Sequence, residues 1–207
     1  MIKRLIFDLD NTLIMWRDSY KSAIKNTIEK YNLDVDYILV DEVIESYEKY
    51  YNYYSKDHLL ELINNKFGLE LDISFLEDWL IELGKMADIE DDVIEVLEYL
   101  SSKYELIVLT NWFKDSQLKR LEKVGIDKYF KEIYGGDKYI KPSFESYKIA
   151  IGDRKPSECI MIGDNYITDI EGAINAGLQA IMITSKDFTS TDSYKVIRDL
   201  KELKEML

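Results

Sequence analysis

Short apolar runs that alternate with amphipathic stretches limit most strongly how this chain can fold. In chain order, the runs are Leu5–Phe7, Leu106–Leu109, Ile133–Tyr134, Cys159–Ile162 and Ala180–Ile183. They are apolar throughout and rich in β-branched residues, which is typical of parallel strands covered on both faces. From about residue 88 onward, the segments between them repeat apolar residues at helical spacing. The alternation predicts an α/β fold whose core is a doubly wound, Rossmann-like parallel sheet.

Residues 15–86 interrupt this alternation with helical patterns and no convincing strand. Four apolar faces at helical spacing begin near Tyr20, Val40, Leu59 and Phe75, and the second includes Tyr51. We therefore expect a small α-helical cap domain at residues 15–86, inserted into a catalytic core of residues 1–14 and 87–207. A lid on two linkers is a common means of closing a site against water.

Composition excludes several kinds of site and partner. The 207 residues carry a formal net charge of −13 and include one cysteine, Cys159, and one histidine, His58. Any metal must therefore be held by oxygen ligands, which favours Mg²⁺. The acidic balance repels phosphate backbones, so we expect no nucleic-acid polymer as a partner. No apolar run approaches the ~18–20 residues of a membrane span, and we expect a cytoplasmic monomer or homodimer.

Polar residues follow four of the predicted strands. They are Asp8 and Asp10 after the first, Thr110 and Asn111 after the second, Lys141 after the third, and Asp164 and Asp169 after the fourth. Open α/β sheets place their sites at the carboxyl ends of strands. Taken singly, each has a simpler structural explanation; Thr168 with Glu171, for example, fits a capping box at the start of the helix that carries Asp169. Together they predict one site.

These residues resemble the motifs of the haloacid dehalogenase-like (HAD) hydrolase superfamily. Phe7–Thr12, with the sequence Phe-Asp-Leu-Asp-Asn-Thr, is similar to its first motif and Leu109–Asn111 to its second. Lys141 matches the third motif and Ile162–Asp169 the fourth. A helical insert after the first strand resembles the branch with an α-helical cap at that point. The resemblance implies a phosphatase that hydrolyses phosphate monoesters of small metabolites.

The resemblance also implies chemistry for the carboxylates. Asp8 would be the nucleophile that forms an aspartyl-phosphate. Asp10 would protonate the leaving alcohol and then deprotonate the attacking water. Mg²⁺ would be held by the Asp8 carboxylate, the Asp10 main-chain carbonyl and Asp164, while Asp169 would orient a bound water or the lysine of the third motif.

The remaining motif residues would act on the phosphoryl group. Lys141 would steady Asp8 and the phosphoryl oxygens, and the Thr110 hydroxyl and the Asn111 amide would donate hydrogen bonds to the transferring group. Thr12 is expected to hold the turn geometry. Many lidded phosphatases carry an acidic residue near the position of Met15, where this chain continues with Trp16 and Arg17. Either of these could contact the leaving group, so the specific substrate stays open.

Other activities on the same scaffold also stay open. A 2-haloacid dehalogenase uses the same nucleophile but typically lacks the second aspartate, so Asp10 favours phosphoryl transfer. A sugar-phosphate mutase would use the same two aspartates. A phosphonate hydrolase would need an amine from the insert, whose lysines are interpreted more simply as solvated helix faces. A phosphoaccepting receiver domain would carry its aspartate after the third strand.

Overall fold

A parallel six-stranded sheet forms the centre of the computed structural model, which describes residues 1–16, 18–50 and 53–207. The strands are β1 (Arg4–Phe7), β2 (Glu105–Leu109), β3 (Glu132–Tyr134), β4 (Cys159–Gly163), β5 (Gln179–Ile183) and β6 (Tyr194–Ile197). They lie in the order β3-β2-β1-β4-β5-β6, and every neighbouring pair is parallel. The chain moves outward from β1 on one side and then returns to build the other. The predicted doubly wound α/β fold is confirmed.

Helices fill the connections between the strands. The first four follow β1 along the chain: α1 (Ser19–Lys30), α2 (Tyr37–Tyr50), α3 (Lys56–Phe67) and α4 (Ile73–Lys85). The others are α5 (Val93–Ser101), α6 (Lys114–Val124), α7 (Phe144–Ile151), α8 (Gly172–Asn175) and α9 (Leu203–Met206). A π-helical turn, Tyr166–Glu171, runs directly into α8. No helix in these ranges combines the length and the apolar character that a membrane crossing requires.

The strands contain continuous apolar runs because both faces of the sheet are buried. Successive side chains of a strand point to opposite faces. In β1, Leu5 and Phe7 pack with Leu97 of α5 on one face, whereas Ile6 packs with Tyr147 of α7 on the other. The apolar runs of the sequence therefore reflect two cores, one on each side of the sheet.

Helices α1–α4 share a third core that extends into the loop after β2. Trp112, from that loop, lies among the aromatic rings of the insert, with ring centroids 5.3 Å from Tyr54 and 5.8 Å from Trp79. The main-chain N–H of Tyr54 donates to the Gly136 carbonyl at 2.8 Å. The four helices therefore rest on the loops that follow β2 and β3, next to the predicted site.

The sequence pattern misses β6. This strand lies at the edge of the sheet, beside β5 only, and just one of its residues, Ile197, is fully buried. Lys195 is exposed, so no continuous apolar run marks the strand. An edge strand needs less apolar surface than a central one, and its sequence signal is correspondingly weaker.

The predicted capping box of Thr168 and Glu171 is wrong. Asn165 caps the helical turn instead, because its side chain accepts from the main-chain N–H groups of Ile167 at 3.0 Å and Thr168 at 3.1 Å. In return, Asp169 Oδ2 accepts from the N–H of Asn165 at 3.0 Å. The helix therefore begins earlier than predicted, and this reciprocal pair fixes the Asp169 side chain.

Candidate active site

The seven residues predicted for the site all line one cleft of about 540 Å³. The sheet register brings them together. Phe7 of β1 lies beside Val108 of β2 and Ile162 of β4, so the chain leaves all three strands at the same edge. Asp8 follows β1 directly, and its N–H still donates to the Ile162 carbonyl at 2.9 Å. Thr110 follows β2, and its N–H donates to the Tyr134 carbonyl of β3 at 3.0 Å.

Lys141 joins two of the site carboxylates. Its ammonium group lies 2.6 Å from Asp8 Oδ1 and 2.5 Å from Asp169 Oδ1, and only 3% of the residue is exposed. Burial disfavours the charged form of Lys141, but the negative charges of Asp169 and Asp8 outweigh it and hold the pKa of Lys141 above its usual value. Lys141 is therefore a fixed cation at the bottom of the cleft.

Asp8 is also held by its own turn. The Thr12 hydroxyl donates to Asp8 Oδ2 at 3.3 Å, so Thr12 contacts the proposed nucleophile as well as shaping the turn. Asn11 takes a left-handed conformation there, with φ of 58°. Burial raises the pKa of Asp8 to about 7, and Lys141 opposes this shift only in part.

A cluster of carboxylates at the edge of the cleft has the composition of a magnesium site. Oxygen atoms of Asp8, Asp164 and Asp169 lie within 4.8 Å of one another. Burial, followed by the nearby charge of Asp169, raises the pKa of Asp164 to about 6. The single ammonium of Lys141 therefore does not balance the negative charge of the cluster. An all-oxygen donor set with uncompensated negative charge fits a hard divalent cation.

Asn111 holds the loop that carries Lys141. Its side-chain amide donates to the Lys141 carbonyl at 2.8 Å, and its side-chain oxygen accepts from the Lys141 N–H at 2.7 Å. This pair of hydrogen bonds satisfies both main-chain groups of the lysine. The Asn111 side chain is thus occupied. The hydrogen bond to the phosphoryl group that the sequence analysis expects from Asn111 would therefore come from its main-chain N–H.

Asp10 is in contact with three residues that belong to none of the sequence motifs. Arg120 Nη1 lies 2.6 Å from Asp10 Oδ1. Gln117 Nε2 donates to Asp10 Oδ2 at 2.9 Å and to Thr110 Oγ1 at 2.8 Å. The Tyr20 hydroxyl of α1 donates to Asp10 Oδ2 at 3.3 Å. Helix α6 and the insert therefore both hold the second aspartate.

The signal for these contacts is the polarity of the inner face of α6. The sequence pattern assigns Leu118, Leu121 and Val124 to the packed face, and Leu121 is indeed fully buried. However, Gln117 and Arg120, three residues apart on a neighbouring face, are fully buried too. A buried glutamine and arginine in the helix after a motif strand indicate a polar contact that apolar periodicity cannot reveal.

Insert side chains and Trp112 form the outer part of the cleft. Trp16, Tyr20, Tyr54 and Trp112 contribute aromatic rings, and Glu48 and Lys49 of α2 contribute charges. Arg17, which the sequence analysis considers for substrate contact, lies outside the described residues. The end of the cleft farthest from the β-strands is therefore mainly aromatic, with a carboxylate and an ammonium group.

The Glu48 carboxylate is the unusual charge on this wall. It has no ion pair or hydrogen bond within the described ranges, whereas Lys49 lies 4.0 Å from Glu45. The side chain is accessible from the cleft, yet desolvation by the surrounding helices raises the pKa of Glu48 to about 8. The charges of Asp10, Glu45 and Asp41 add to this shift, and Lys49 opposes it. Glu48 therefore becomes negatively charged only as the pH rises through about 8, and the outer cleft then becomes less favourable for a further negative charge.

Sequence comparison places this cleft in a known family. The chain belongs to the haloacid dehalogenase-like hydrolases, because residues 5–183 match the sequence model of that family. This match spans β1 to β5 and includes all four motifs. The expectation of a hydrolase of this superfamily is confirmed.

Individual relatives with different activities resemble the whole chain. The glyceraldehyde 3-phosphate phosphatase of Methanothermobacter thermautotrophicus is 27% identical, over 100% of both chains. The magnesium-bound structure of the hydrolase YfnB from Bacillus subtilis superposes with a TM-score of 0.76 at 21% identity, covering 100% of this chain and 98% of that one. The L-2-haloacid dehalogenase of Xanthobacter autotrophicus has a TM-score of 0.71 at 19% identity, with the same coverage. The two structures establish a shared fold and leave the reaction to the site residues.

Position 163, at the end of β4, requires glycine because the Asp169 side chain lies directly against it. A Cβ atom built on Gly163 would lie 2.4 Å from Asp169 Cγ, closer than any real contact. We therefore expect Gly163→Ala to displace Asp169 and to reduce hydrolysis of p-nitrophenyl phosphate by about 100-fold. Gly84→Ala is the matched control, because its nearest neighbour would be Lys119 Cβ at 3.6 Å. Equal activity of the two variants would contradict this role of Gly163.

Proposed function

We propose that the protein is a Mg²⁺-dependent phosphatase that hydrolyses phosphate monoesters of small metabolites through an aspartyl-phosphate on Asp8. The observation that carries the proposal is a buried carboxylate, Asp8, held 2.6 Å from the Lys141 ammonium, with a second carboxylate, Asp10, in the same cleft. A nucleophile beside a fixed cation and near a separate acid–base group is what phosphoryl transfer requires. The resemblance to a phosphatase over the full chain supports the same conclusion.

The proposed reaction has two steps. First, an Asp8 carboxylate oxygen attacks phosphorus, the phosphorus–oxygen bond to the alcohol breaks, and Asp10 gives its proton to the departing alkoxide. Water then attacks the phosphorus of the aspartyl-phosphate, Asp10 takes a proton from that water, and phosphate leaves with Asp8 restored. Lys141 steadies Asp8 and the phosphoryl oxygens throughout. Thr110 and the main chain of Asn111 would donate hydrogen bonds to the transferring group.

The carboxylate cluster would hold the metal. Asp8, Asp164 and the main-chain carbonyl of Asp10 are the proposed ligands. When bound, Mg²⁺ would offset the charge repulsion between the carboxylate nucleophile and an anionic phosphate. Asp169 is better suited to orienting its neighbours, because its two oxygens already accept from Lys141 and from the Asn165 N–H.

We also propose that residues 15–86 act as a cap over a core of residues 1–14 and 87–207. Support comes from the position of α1–α4 between β1 and β2, and from the insert side chains that line the outer cleft. The small phosphorylated substrate, the lack of a nucleic-acid partner, the monomeric or dimeric state and the cytoplasmic location stay predictions.

Asp10 is the residue that favours phosphatase over dehalogenase chemistry. A halide leaves without a proton, whereas an alkoxide needs one. Asp10 lies in the cleft with one ion-pair partner, Arg120, and two hydrogen-bond donors, Gln117 and Tyr20, which is a costly arrangement for a group without a task. A screen of phosphorylated metabolites that includes 2-chloropropionate would separate the two activities. It would also include a hexose phosphate to test for mutase activity.

The charge on the outer wall restricts the leaving group. Glu48 faces the cleft without a partner in the described ranges, and Asp10 lies below it. As the pH rises through about 8, an alcohol that carries its own carboxylate would meet repulsion from Glu48, whereas a neutral or cationic alcohol would not. The aromatic rings of Trp16 and Tyr54 offer apolar surface to the carbon skeleton. We therefore propose leaving groups without negative charge.

Replacement of the nucleophile gives the most direct test. We expect Asp8→Asn to reduce phosphatase activity by at least about 10⁴-fold, because an amide cannot form the acyl-phosphate. Asp34→Asn, an exposed aspartate in the loop before α2, is the matched control and should retain full activity. Thermal unfolding of both variants would establish that they are folded. Substantial turnover by Asp8→Asn would rule out the proposed nucleophile.

The metal site can be tested by binding as well as by activity. EDTA should abolish turnover and Mg²⁺ should restore it. Calorimetric titration of the apo protein with Mg²⁺ should show one site, and Asp164→Asn should weaken binding by more than tenfold, since even residues that only orient ligands contribute about 10–100-fold. Metal-independent turnover, or unchanged Mg²⁺ affinity in Asp164→Asn, would argue against this site.

The charge restriction predicts a substrate preference that depends on pH. At pH 9, the wild type should prefer glycerol phosphate over 3-phosphoglycerate by about tenfold in kcat/KM, and Glu48→Gln should largely remove this preference. Because the pKa of Glu48 is raised to about 8, it gains its negative charge as the pH rises through 8, and the preference should grow between pH 7 and pH 9. Glu42→Gln, an exposed change on the same helix, should leave the ratio unchanged. A preference for 3-phosphoglycerate would refute the restriction.

A further inference from the structure

Helix α6 buries polar side chains where a helix of this kind would ordinarily bury apolar ones. Ser116, Gln117 and Arg120 are fully enclosed on its inner side. Two of the three guanidinium nitrogens of Arg120, Nε and Nη2, have no hydrogen-bond partner within the described ranges. Burying an arginine that is only partly paired costs stability. A role in packing alone does not account for it.

Arg120 is directed at Asp10. The guanidinium lies 2.6 Å from Asp10 Oδ1, and this is its only ion pair in the described part of the chain. Its central carbon lies 5.5 Å from the ring centre of Tyr20, which itself donates to Asp10. The Asp10 side chain is 26% exposed, and its polar contacts among the described residues come from α1 and α6. The contacts from α6 and α1 are what hold it in one position.

Arg120 also fixes the orientation of Gln117. Arg120 Nη1 donates to Gln117 Oε1 at 2.8 Å, and a guanidinium can only donate. The amide nitrogen of Gln117 must therefore be the atom that faces Asp10 and Thr110. Since that nitrogen also only donates, Thr110 Oγ1 accepts from it at 2.8 Å, and the hydroxyl hydrogen of Thr110 is left free for another acceptor.

We propose that Gln117 and Arg120 are positioning residues that aim the Asp10 carboxylate at the leaving group and direct the Thr110 hydroxyl hydrogen toward the phosphoryl group. The inference rests on the proposed phosphatase function. A proton donor must lie within hydrogen-bond reach of the leaving oxygen, and a displacement of about 1 Å can cost 100-fold in rate. Arg120 thereby acts on Asp10 directly and on Thr110 through Gln117.

The test compares two esters and a pair of backgrounds. Arg120→Met, Arg120→Lys and Gln117→Met would be assayed with p-nitrophenyl phosphate, whose leaving group needs little protonation, and with an alkyl phosphate, whose leaving group needs it fully. Lys123→Met, an exposed change on the same helix, is the control. Each change would also be made in the Asp10→Asn background. Thermal unfolding would report which variants are folded.

We expect Arg120→Met and Gln117→Met to lose about 100-fold in kcat on the alkyl ester and less than about tenfold on the nitrophenyl ester. Arg120→Lys should recover part of the loss. In the Asp10→Asn background the same changes should add less than about tenfold on the alkyl ester, because the acid that they position is already disabled and only their effect on Thr110 remains. If Arg120→Met does not fold, Gln117→Met and Arg120→Lys carry the same comparison.

Equal losses on both esters, or full additivity with Asp10→Asn, would overturn the proposal. A wild type that hydrolyses neither ester would instead contradict the proposed function itself. The two failures are therefore distinguishable. A lowered melting temperature without a difference between the esters would assign Gln117 and Arg120 to packing alone.

Discussion

The ion pairs of Lys141 with Asp8 and Asp169 hold together three loops that the chain reaches at widely separated points. Asp8 follows the first strand, Lys141 the third and Asp169 the fourth, and all three side chains are almost completely buried. A buried charge without its partner is strongly destabilising, so each loop depends on the other two. The Asn111 hydrogen bonds to the Lys141 main chain add the loop after the second strand. The sheet order makes this possible, because β1 lies between β2 and β4.

The same charges that join the loops also define what they can bind. One ammonium is shared by two carboxylates, and a third carboxylate, Asp164, lies beside them. The balance remains negative at the cluster, which suits a hard cation, and the outer wall carries Glu48 in addition. The stability of the three loops and the proposed metal binding therefore draw on one set of charges.

The central fold and the motif residues could be predicted because they depend on strong, local signals. Strands such as Cys159–Gly163 are buried on both faces and are apolar without interruption. Asp8, Thr110 and Lys141 follow such strands, and the ends of parallel strands meet at one edge of the sheet. Edge strand β6 lacks this signal, since only Ile197 of its four residues is fully buried and Lys195 is exposed. The N-cap residue of the helical turn Tyr166–Glu171 cannot be assigned from the sequence, because Asn165, Thr168 and Asp169 can all cap a helix. Only the three-dimensional structure selects Asn165.

The contacts of Asp10 could not be predicted for a different reason. Gln117 and Arg120 belong to a helix whose apolar spacing points to another face, and Tyr20 comes from an insert nearly a hundred residues earlier in the chain. No spacing rule relates the three. Their meeting depends on how the insert rests on α6, where Gly84 of α4 lies opposite Lys119. Apolar patterns determine which residues are buried, but they do not determine which polar group a buried arginine meets.

The position of Trp112 has a consequence for exchanging parts between related proteins. The residue comes immediately after Asn111, yet its ring lies in the core of the inserted helices, against Tyr20, Tyr54 and Trp79. The insert therefore cannot be treated as an independent module. A chimaera that takes residues 15–86 from a relative would also need that relative's residue at position 112, and a library that varies the insert should vary this position with it.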